Sequence, residues 1–226
     1  MGIGRGLYDA CRPEGGRCDR PAGAKPGVSG YRLGRVSEPN QAAEQGASSD
    51  DLWIFGYGSL VWRPAFEHLE RHPGFITGWA RRFWQASMDH RGVPEAPGRV
   101  VTLVPSEGDQ CWGVVYRVAG RTAPQVLAML DHREQGGYAR HRVDVHLSGT
   151  RVEGALVYVA TPDNPLFVGP ESPDQIAAHV LRCQGPSGTN LEYVLRLADA
   201  LRGIGADDPH VYGLERLLLG MRRSRR

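Results

Sequence analysis

Two short stretches hold the residue types from which a reaction centre could be built. The first is Phe55-Gly56-Tyr57-Gly58-Ser59-Leu60. Two glycines around one aromatic residue let the backbone turn sharply and approach a ligand closely. Successive N–H groups in such a turn make a cradle for an anion. A dinucleotide-binding reading fails where a third glycine is needed and Val61 stands instead. A nucleophile elbow fails because Ser59 is not framed as G-x-S-x-G. The simpler alternative is a tight turn at the end of a strand that packs Tyr57.

The second stretch is Leu130-Asp131-His132-Arg133-Glu134-Gln135-Gly136-Gly137-Tyr138. Glu134 falls at the end of an amphipathic helical pattern, just before two terminating glycines. The helix dipole is negative there, so a carboxylate is disfavoured and its pKa is pushed up. Stability alone would place Lys or Arg at that position. A buried carboxylate held there can accept a proton near neutral pH. The alternative is a solvated residue paired with Arg133 or Arg140. Asp131, one turn earlier, reads as a structural hydrogen-bonder.

Other chemistries find little support. Among 27 Lys+Arg the single lysine is Lys25, which argues against Schiff-base and P-loop chemistry. The eight histidines are scattered without H-E-x-x-H, and His179 and Cys183 share a helix face without further ligands, so neither a metal nor another cofactor is expected. Cys11, Cys18, Cys111 and Cys183 form no C-x-x-C pair, and no secretory h-region opens the chain, which points to a reducing cytoplasm. No apolar run approaches the roughly 20 residues of a membrane helix. A net charge of +2 gives no strong field toward nucleic acid or anionic lipid. Arg222, Arg223, Arg225 and Arg226 read as a solvated basic end. The five tryptophans, Trp53, Trp62, Trp79, Trp84 and Trp112, read as core or pocket wall rather than a base-stacking strip.

The elements that must position these stretches begin at Asp51. Residues 1–50 hold ten of the 30 glycines and few large apolar residues, so a disordered tail is expected there, or a start codon assigned too early. Residues 51–222 are expected to form one domain, with 223–226 as its basic end. Strands are expected at Leu52–Phe55, within Phe75–Met88, at Val100–Val104 closed by Pro105, at Cys111–Val118, at Tyr138–Leu147 and at Val152–Ala160. A T-x-x-Q capping box at Thr122 and Gln125 starts a helix with Val126, Leu127 and Leu130 on one face. Ser172-Pro173 starts another that ends at Gly185. Asn190 caps a third with Leu191, Val194, Leu195, Ala198 and Leu201 inward, and Asp208-Pro209 starts a fourth with Leu214, Leu217, Leu218 and Met221 inward. Strands first and helices later indicate an α+β domain with a mixed or antiparallel sheet.

Taken together, the strings Trp53-Ile54-Phe55-Gly56-Tyr57-Gly58-Ser59-Leu60-Val61-Trp62, Pro97-Gly98-Arg99-Val100-Val101-Thr102-Leu103-Val104, Trp112-Gly113-Val114-Val115-Tyr116 and Leu130 to Tyr138 resemble the glutathione-specific γ-glutamylcyclotransferases, the ChaC-like family. Gly185-Pro186-Ser187-Gly188-Thr189-Asn190-Leu191-Glu192-Tyr193-Val194 and His210-Val211-Tyr212-Gly213-Leu214 match as well. The resemblance runs from about Leu52 to Leu219. Y-G-S-L is shared with the wider cyclotransferase-like superfamily, whereas R-E-x-G-G-Y and S-G-x-N-x-E-Y are more specific.

The resemblance implies a small mixed β-barrel with packed helices and a lyase that converts glutathione to 5-oxoproline and Cys-Gly without cofactor or metal. In the family the Y-G-S-L loop binds the γ-glutamyl group and the Glu of R-E-x-G-G-Y is the acid/base. Those roles carry over to Ile54, Phe55, Gly56, Tyr57, Gly58, Ser59 and Leu60, and to Glu134. Arg99 is added as a contact for a substrate carboxylate or a support for the loop. The alternatives are an enzyme of the same fold acting on other γ-glutamyl amino acids or amines, and a non-catalytic module that binds a γ-glutamyl ligand.

Overall fold

The computed structural model describes residues 51–224. The expectations for residues 1–50 and for the last two residues lie outside them. Five strands close a barrel in the order β1-β3-β2-β4-β5, with β1 at Leu52–Gly56, β2 at Glu70–Ser87, β3 at Gly98–Val118, β4 at Tyr138–His146 and β5 at Arg151–Ala160. All neighbours are antiparallel except β1 and β5, which run parallel and meet at Ile54 and Leu156. The barrel is therefore mixed. Four helices pack around it: α1 at Ala123–Arg133, α2 at Pro173–Val180, α3 at Asn190–Gly203 and α4 at Pro209–Arg223. A two-residue hairpin, β6 at Gln184–Gly185 and β7 at Gly188–Thr189, sits between α2 and α3. Among the described residues no helix is long and apolar enough to cross a membrane.

Period-2 alternation decides which way each strand residue faces. Ile54 joins Leu130, Val126, Leu156 and Tyr158 beneath α1. Its neighbour Phe55 joins the larger cluster, with Ile76, Phe83, Val101 and Val157 from the strands and Ile176, Val194, Leu197, Leu201 and Leu214 from α2, α3 and α4. The loop that follows β1 thus leaves a strand clamped on both faces.

Several local expectations are corrected. Pro105 does not end a strand, because β3 continues through it. The register jumps from Thr77 opposite Gln110 to Trp79 opposite Pro105, so Ser106–Asp109 bulge out opposite Gly78. Gly78 and Gly108 carry the positive φ of that bend, at 78° and 82°. β2 begins at Glu70, five residues before the expected aromatic run. Thr122 makes no cap: its backbone is already helical, and its hydroxyl turns back to the carbonyl of Ala119 at 3.1 Å. The reciprocal capping box is formed instead by Ser172 and Gln175 at the start of α2. That helix stops at Val180, before the hairpin that contains Gly185. Thr189, not Asn190, caps α3 by accepting from Glu192 N at 3.1 Å. On α3, Tyr193 and Leu197 are buried where Leu191 and Leu195 were expected, and on α4 Val211 is buried while Leu217 and Met221 are only partly covered.

Candidate active site

The segment after β1 is shaped by glycine at two positions. A Cβ on Gly56 would lie 2.5 Å from Cβ of Leu60, so the loop folds back on itself only without one. A Cβ on Gly58 would come within 3.2 Å of both the Tyr193 hydroxyl and Cγ2 of Val101. The φ of Gly58 is −108°, so close approach rather than a left-handed backbone excludes a side chain there. A single 3-10 turn follows at Ser59–Val61.

Four consecutive carbonyls of this loop are tied into the protein. Tyr57 O accepts from Nε of Arg81 at 2.8 Å. Gly58 O accepts from Val61 N at 3.0 Å, and Ser59 O accepts from Trp62 N at 3.2 Å and Arg63 N at 2.8 Å. Leu60 O accepts from the Tyr116 hydroxyl at 2.7 Å. The N–H groups of Gly58, Ser59 and Leu60 stand at the start of the helical turn, where a helix leaves its donors without internal partners. A loop whose acceptors are spent and whose donors have no partner among the described residues suits an anionic or developing oxyanionic ligand.

Glu134 ends α1. Its N–H donates to Leu130 O at 2.8 Å, and its own carbonyl accepts from Tyr138 N at 3.3 Å. The two glycines beyond it are held by the buried Asn164, whose Nδ2 donates to Gly136 O and Gly137 O at 2.8 Å each, while Nε2 of Gln85 also reaches Gly136 O at 3.1 Å. Gly137 has φ 86°, and a Cβ there would strike Asn164 at 2.4 Å. The turn therefore fixes the Glu134 backbone from both sides.

The Glu134 side chain is 18% exposed and lies 3.3 Å from Nε of Arg133. Arg133 also donates to the Ser59 hydroxyl, which joins the two stretches directly. Burial pushes the Glu134 carboxyl above the ordinary glutamate value; Arg133 pulls it down and Asp89 pushes it up. Burial is the leading cause, where the helix end was expected to be. Asp131 is separate: against the burial that would raise it, hydrogen bonds from Arg140 and from Tyr158 hold its carboxyl below the usual aspartate range. The Tyr158 hydroxyl donates to it at 2.7 Å.

A cavity of about 310 Å³ opens between the two stretches, with Phe55 to Leu60 on one side and Glu134, Gly136 and Tyr138 on another. Ser87, Asp89, His90, Arg91 and Ser187 line it from the ends of β2 and the hairpin. That volume suits a small molecule or short peptide. Six of the eight residues expected to bind substrate line it. Ile54 does not, because its side chain faces α1 on the opposite side of β1. Arg99 does not line it either. Nε and Nη2 of its buried guanidinium donate to the Glu171 carboxylate at 3.2 and 3.3 Å. Its backbone N–H and carbonyl are gripped by the Asn190 side chain at 2.6 and 2.7 Å. Arg99 thus holds β3 to α3, and Val100 and Val101 beyond it face the cavity.

Three contributors were not anticipated from sequence. Arg133 was considered only as a partner that would neutralise Glu134. Arg81 is 2% exposed in the middle of β2, an inward charge that nothing in the local sequence distinguishes from the half-buried Arg82 beside it. Asn164 lies in a loop with no motif. His179 and Cys183 both donate to the carbonyl of Pro97, and among the described residues no group of three or more His, Cys, Asp or Glu is placed to hold a metal.

Residues 52–220 match the family model described as ChaC-like protein. A protein of Danio rerio named glutathione-specific gamma-glutamylcyclotransferase 1 is 47% identical over 180 residues, covering 76% of this chain and 91% of its own. A Homo sapiens protein of the same name is 46% identical over 166 residues, covering 71% of this chain and 75% of its own. The crystal structure of a yeast gamma-glutamyl cyclotransferase specific to glutathione superposes with a TM-score of 0.71 at 35% identity, covering 75% of this chain and 96% of that one.

Proposed function

The chain belongs to the ChaC-like family, and we propose that it is a glutathione-specific γ-glutamylcyclotransferase in which Glu134 is the acid/base. The α-amine of the γ-glutamyl group attacks its own γ-amide carbonyl. A five-membered lactam closes, and 5-oxoproline and Cys-Gly separate. The nucleophile is tethered to its target, so the protein's main task is to hold the folded conformer; well-oriented intramolecular reactions reach effective molarities on the order of 10⁵–10⁸ M.

Three further tasks fall to named groups. The substrate ammonium must lose a proton before it attacks, and Glu134 takes it. The oxygen that gains charge at the tetrahedral stage needs donors, which the N–H groups of Gly58, Ser59 and Leu60 supply. The departing peptide nitrogen needs a proton, and Glu134 returns the one it took; the second proton, shed by the attacking nitrogen as the lactam forms, leaves on the freed Cys-Gly amine. Arg133, bonded to Ser59 and beside Glu134, keeps the base and the loop in register. The observation that carries this reading is a cavity-facing carboxylate, raised in pKa by burial, across from a loop whose carbonyls are all engaged.

A reducing compartment such as the cytoplasm is the proposed setting; Cys111 and Cys183 are both buried as free thiols. The test is to incubate the protein separately with glutathione, oxidised glutathione and γ-Glu-Ala and to measure 5-oxoproline. Glutathione is expected to react much faster than the other two. Equal kcat/KM for glutathione and γ-Glu-Ala would move the protein to the general γ-glutamyl amino acid reaction. Saturable binding of glutathione with no 5-oxoproline formed would favour a binding module.

A further inference from the structure

Three arginines line the cavity, and two are engaged. Arg133 is bonded to Ser59 and Glu134. Arg91 is buried, donates to Thr189 O at 3.1 Å and pairs with Glu192 at 3.3 Å. His90, the other basic group on the wall, hydrogen-bonds the Ser187 hydroxyl at 3.2 Å and lies 3.8 Å from Asp89. Arg63 differs from all of these. It lines the cavity, is exposed, and enters no ion pair among the described residues.

The segment that carries Arg63 is nonetheless fixed. Its N–H is bonded to Ser59 O, in the same turn that presents the loop donors. Pro64 sets the next φ. Ala65, which also lines the cavity, has φ 59°, the one positive φ of a non-glycine residue among the described residues. L side chains avoid that conformation unless the surroundings impose it. A charged side chain on a rigid mouth, without a partner of its own, is placed to receive one from a ligand.

We infer that Arg63 receives the substrate's terminal peptide carboxylate, the glycine carboxylate of glutathione. The inference rests on the glutathione reading and gives it a specificity-determining residue. The α-ammonium must meet Glu134, and the α-carboxylate is attached to the same carbon, so both lie at the sheltered end beside Arg133. The glycine carboxylate is the charged group left for the exposed mouth. Every γ-glutamyl compound shares the sheltered end, so discrimination among them has to arise where Arg63 stands. A guanidinium can take a carboxylate with two parallel N–H donors, which fixes direction as well as charge.

The test crosses two enzymes with two substrates. Wild type and Arg63→Ala are assayed with glutathione and with glutathione amidated at its glycine carboxylate. Arg63→Ala is expected to raise KM for glutathione about five- to fiftyfold, between an exposed pair and a charge-assisted bond in a cavity. Its kcat should stay within about threefold. The amide should be weakened by a similar factor in wild type, with no further loss on Arg63→Ala, and Arg63→Lys should recover part of the loss with glutathione. An unchanged KM, or equal losses on both substrates, would overturn the inference. Calorimetric titration of both compounds into Glu134→Gln, with and without Arg63→Ala, repeats the comparison without turnover. There, weaker binding of the amide that disappears with Arg63→Ala supports the subsite even if no 5-oxoproline ever forms. Equal binding of the two compounds to Glu134→Gln overturns it. Failure of wild type to form 5-oxoproline counts against the proposed reaction alone.

Discussion

Two clusters of ionisable groups flank the Tyr57–Leu60 loop, and they are built to opposite rules. Behind the loop, the Arg81 guanidinium donates to Tyr57 O, to the Trp112 carbonyl and to Asp208, so each of its three nitrogens has a partner. Asp208 spends its other oxygen as the cap of α4, accepting from Val211 N at 3.0 Å. His210 beside them accepts from Phe83 N at Nε2, at 3.3 Å. In front of the loop, Glu134 keeps a face toward a cavity, has one guanidinium beside it and carries a raised pKa. A charge that holds structure is spent on fixed partners. A charge that does chemistry keeps unspent capacity where a substrate can reach it.

Breaking the rear cluster is expected to give the largest loss of stability. Arg81→Met leaves Asp208 and two buried carbonyls without their donor. A cost of about 3–5 kcal/mol is expected, read by urea unfolding. If the variant folds, its kcat should fall as well, because Tyr57 O is no longer held. A loss below about 1 kcal/mol would show that the cluster is incidental to the fold.

The same region sets an acid limit. Burial, with Arg82 and Arg81 nearby, pushes the His210 imidazole down to about 4, while Asp208 opposes the shift. The unfolded chain protonates this histidine near 6.5 and the folded protein resists until about 4, so stability is fully present above about 6.5 and drains away as pH falls through that window. The loss is on the order of 3 kcal/mol. His210→Gln should flatten that part of the stability–pH curve. An unchanged slope would mean that another group titrates there.

Gly58→Val tests the front face more gently. Its branched side chain must displace the Tyr193 hydroxyl or Val101, at a cost of about 1–3 kcal/mol. KM for glutathione should rise sharply with the fold intact. An unchanged KM would show that the loop is only a turn.

The front of the molecule was far more legible in sequence than the rear. Gly56, Gly58 and the Gly136-Gly137 pair announce backbone constraints through residue type alone, and Glu134 stands out because a carboxylate is the wrong charge for a helix C-terminus. Arg81 has no such marker, since its partners Trp112 and Asp208 arrive from 31 and 127 residues away. Arg99 illustrates the converse. A motif arginine was read as a substrate-carboxylate contact or a support for the loop, whereas Asn190 and Glu171, both distant in sequence, make it a tie between β3 and α3. Ser172 and Asp208 were legible as caps because Pro follows each of them, the residue that fits the first helical position. Thr122 failed because its own backbone is already helical, which no S/T-x-x-E/Q pattern encodes. The mixed barrel came from family resemblance; the bulge opposite Gly78, which lets one long strand pass through Pro105, is a product of pairing rather than of local preference.

The central claim is that Glu134 moves the proton, and Glu134→Gln addresses it most directly. Glutamine keeps the size and can hydrogen-bond, but it cannot take a proton. Expected with glutathione is a kcat lower by about 10²–10⁴-fold and near-normal binding by calorimetry. Wild type should show an acidic limb in kcat above the ordinary glutamate range, and that limb should be absent from the residual rate of the variant. Because burial raises this pKa in the folded state, what the carboxyl contributes to stability is lost as pH rises through its folded value. The variant should therefore melt at the same temperature as wild type or higher at neutral pH. A variant that folds, binds glutathione and forms 5-oxoproline at close to the wild-type rate would contradict the account.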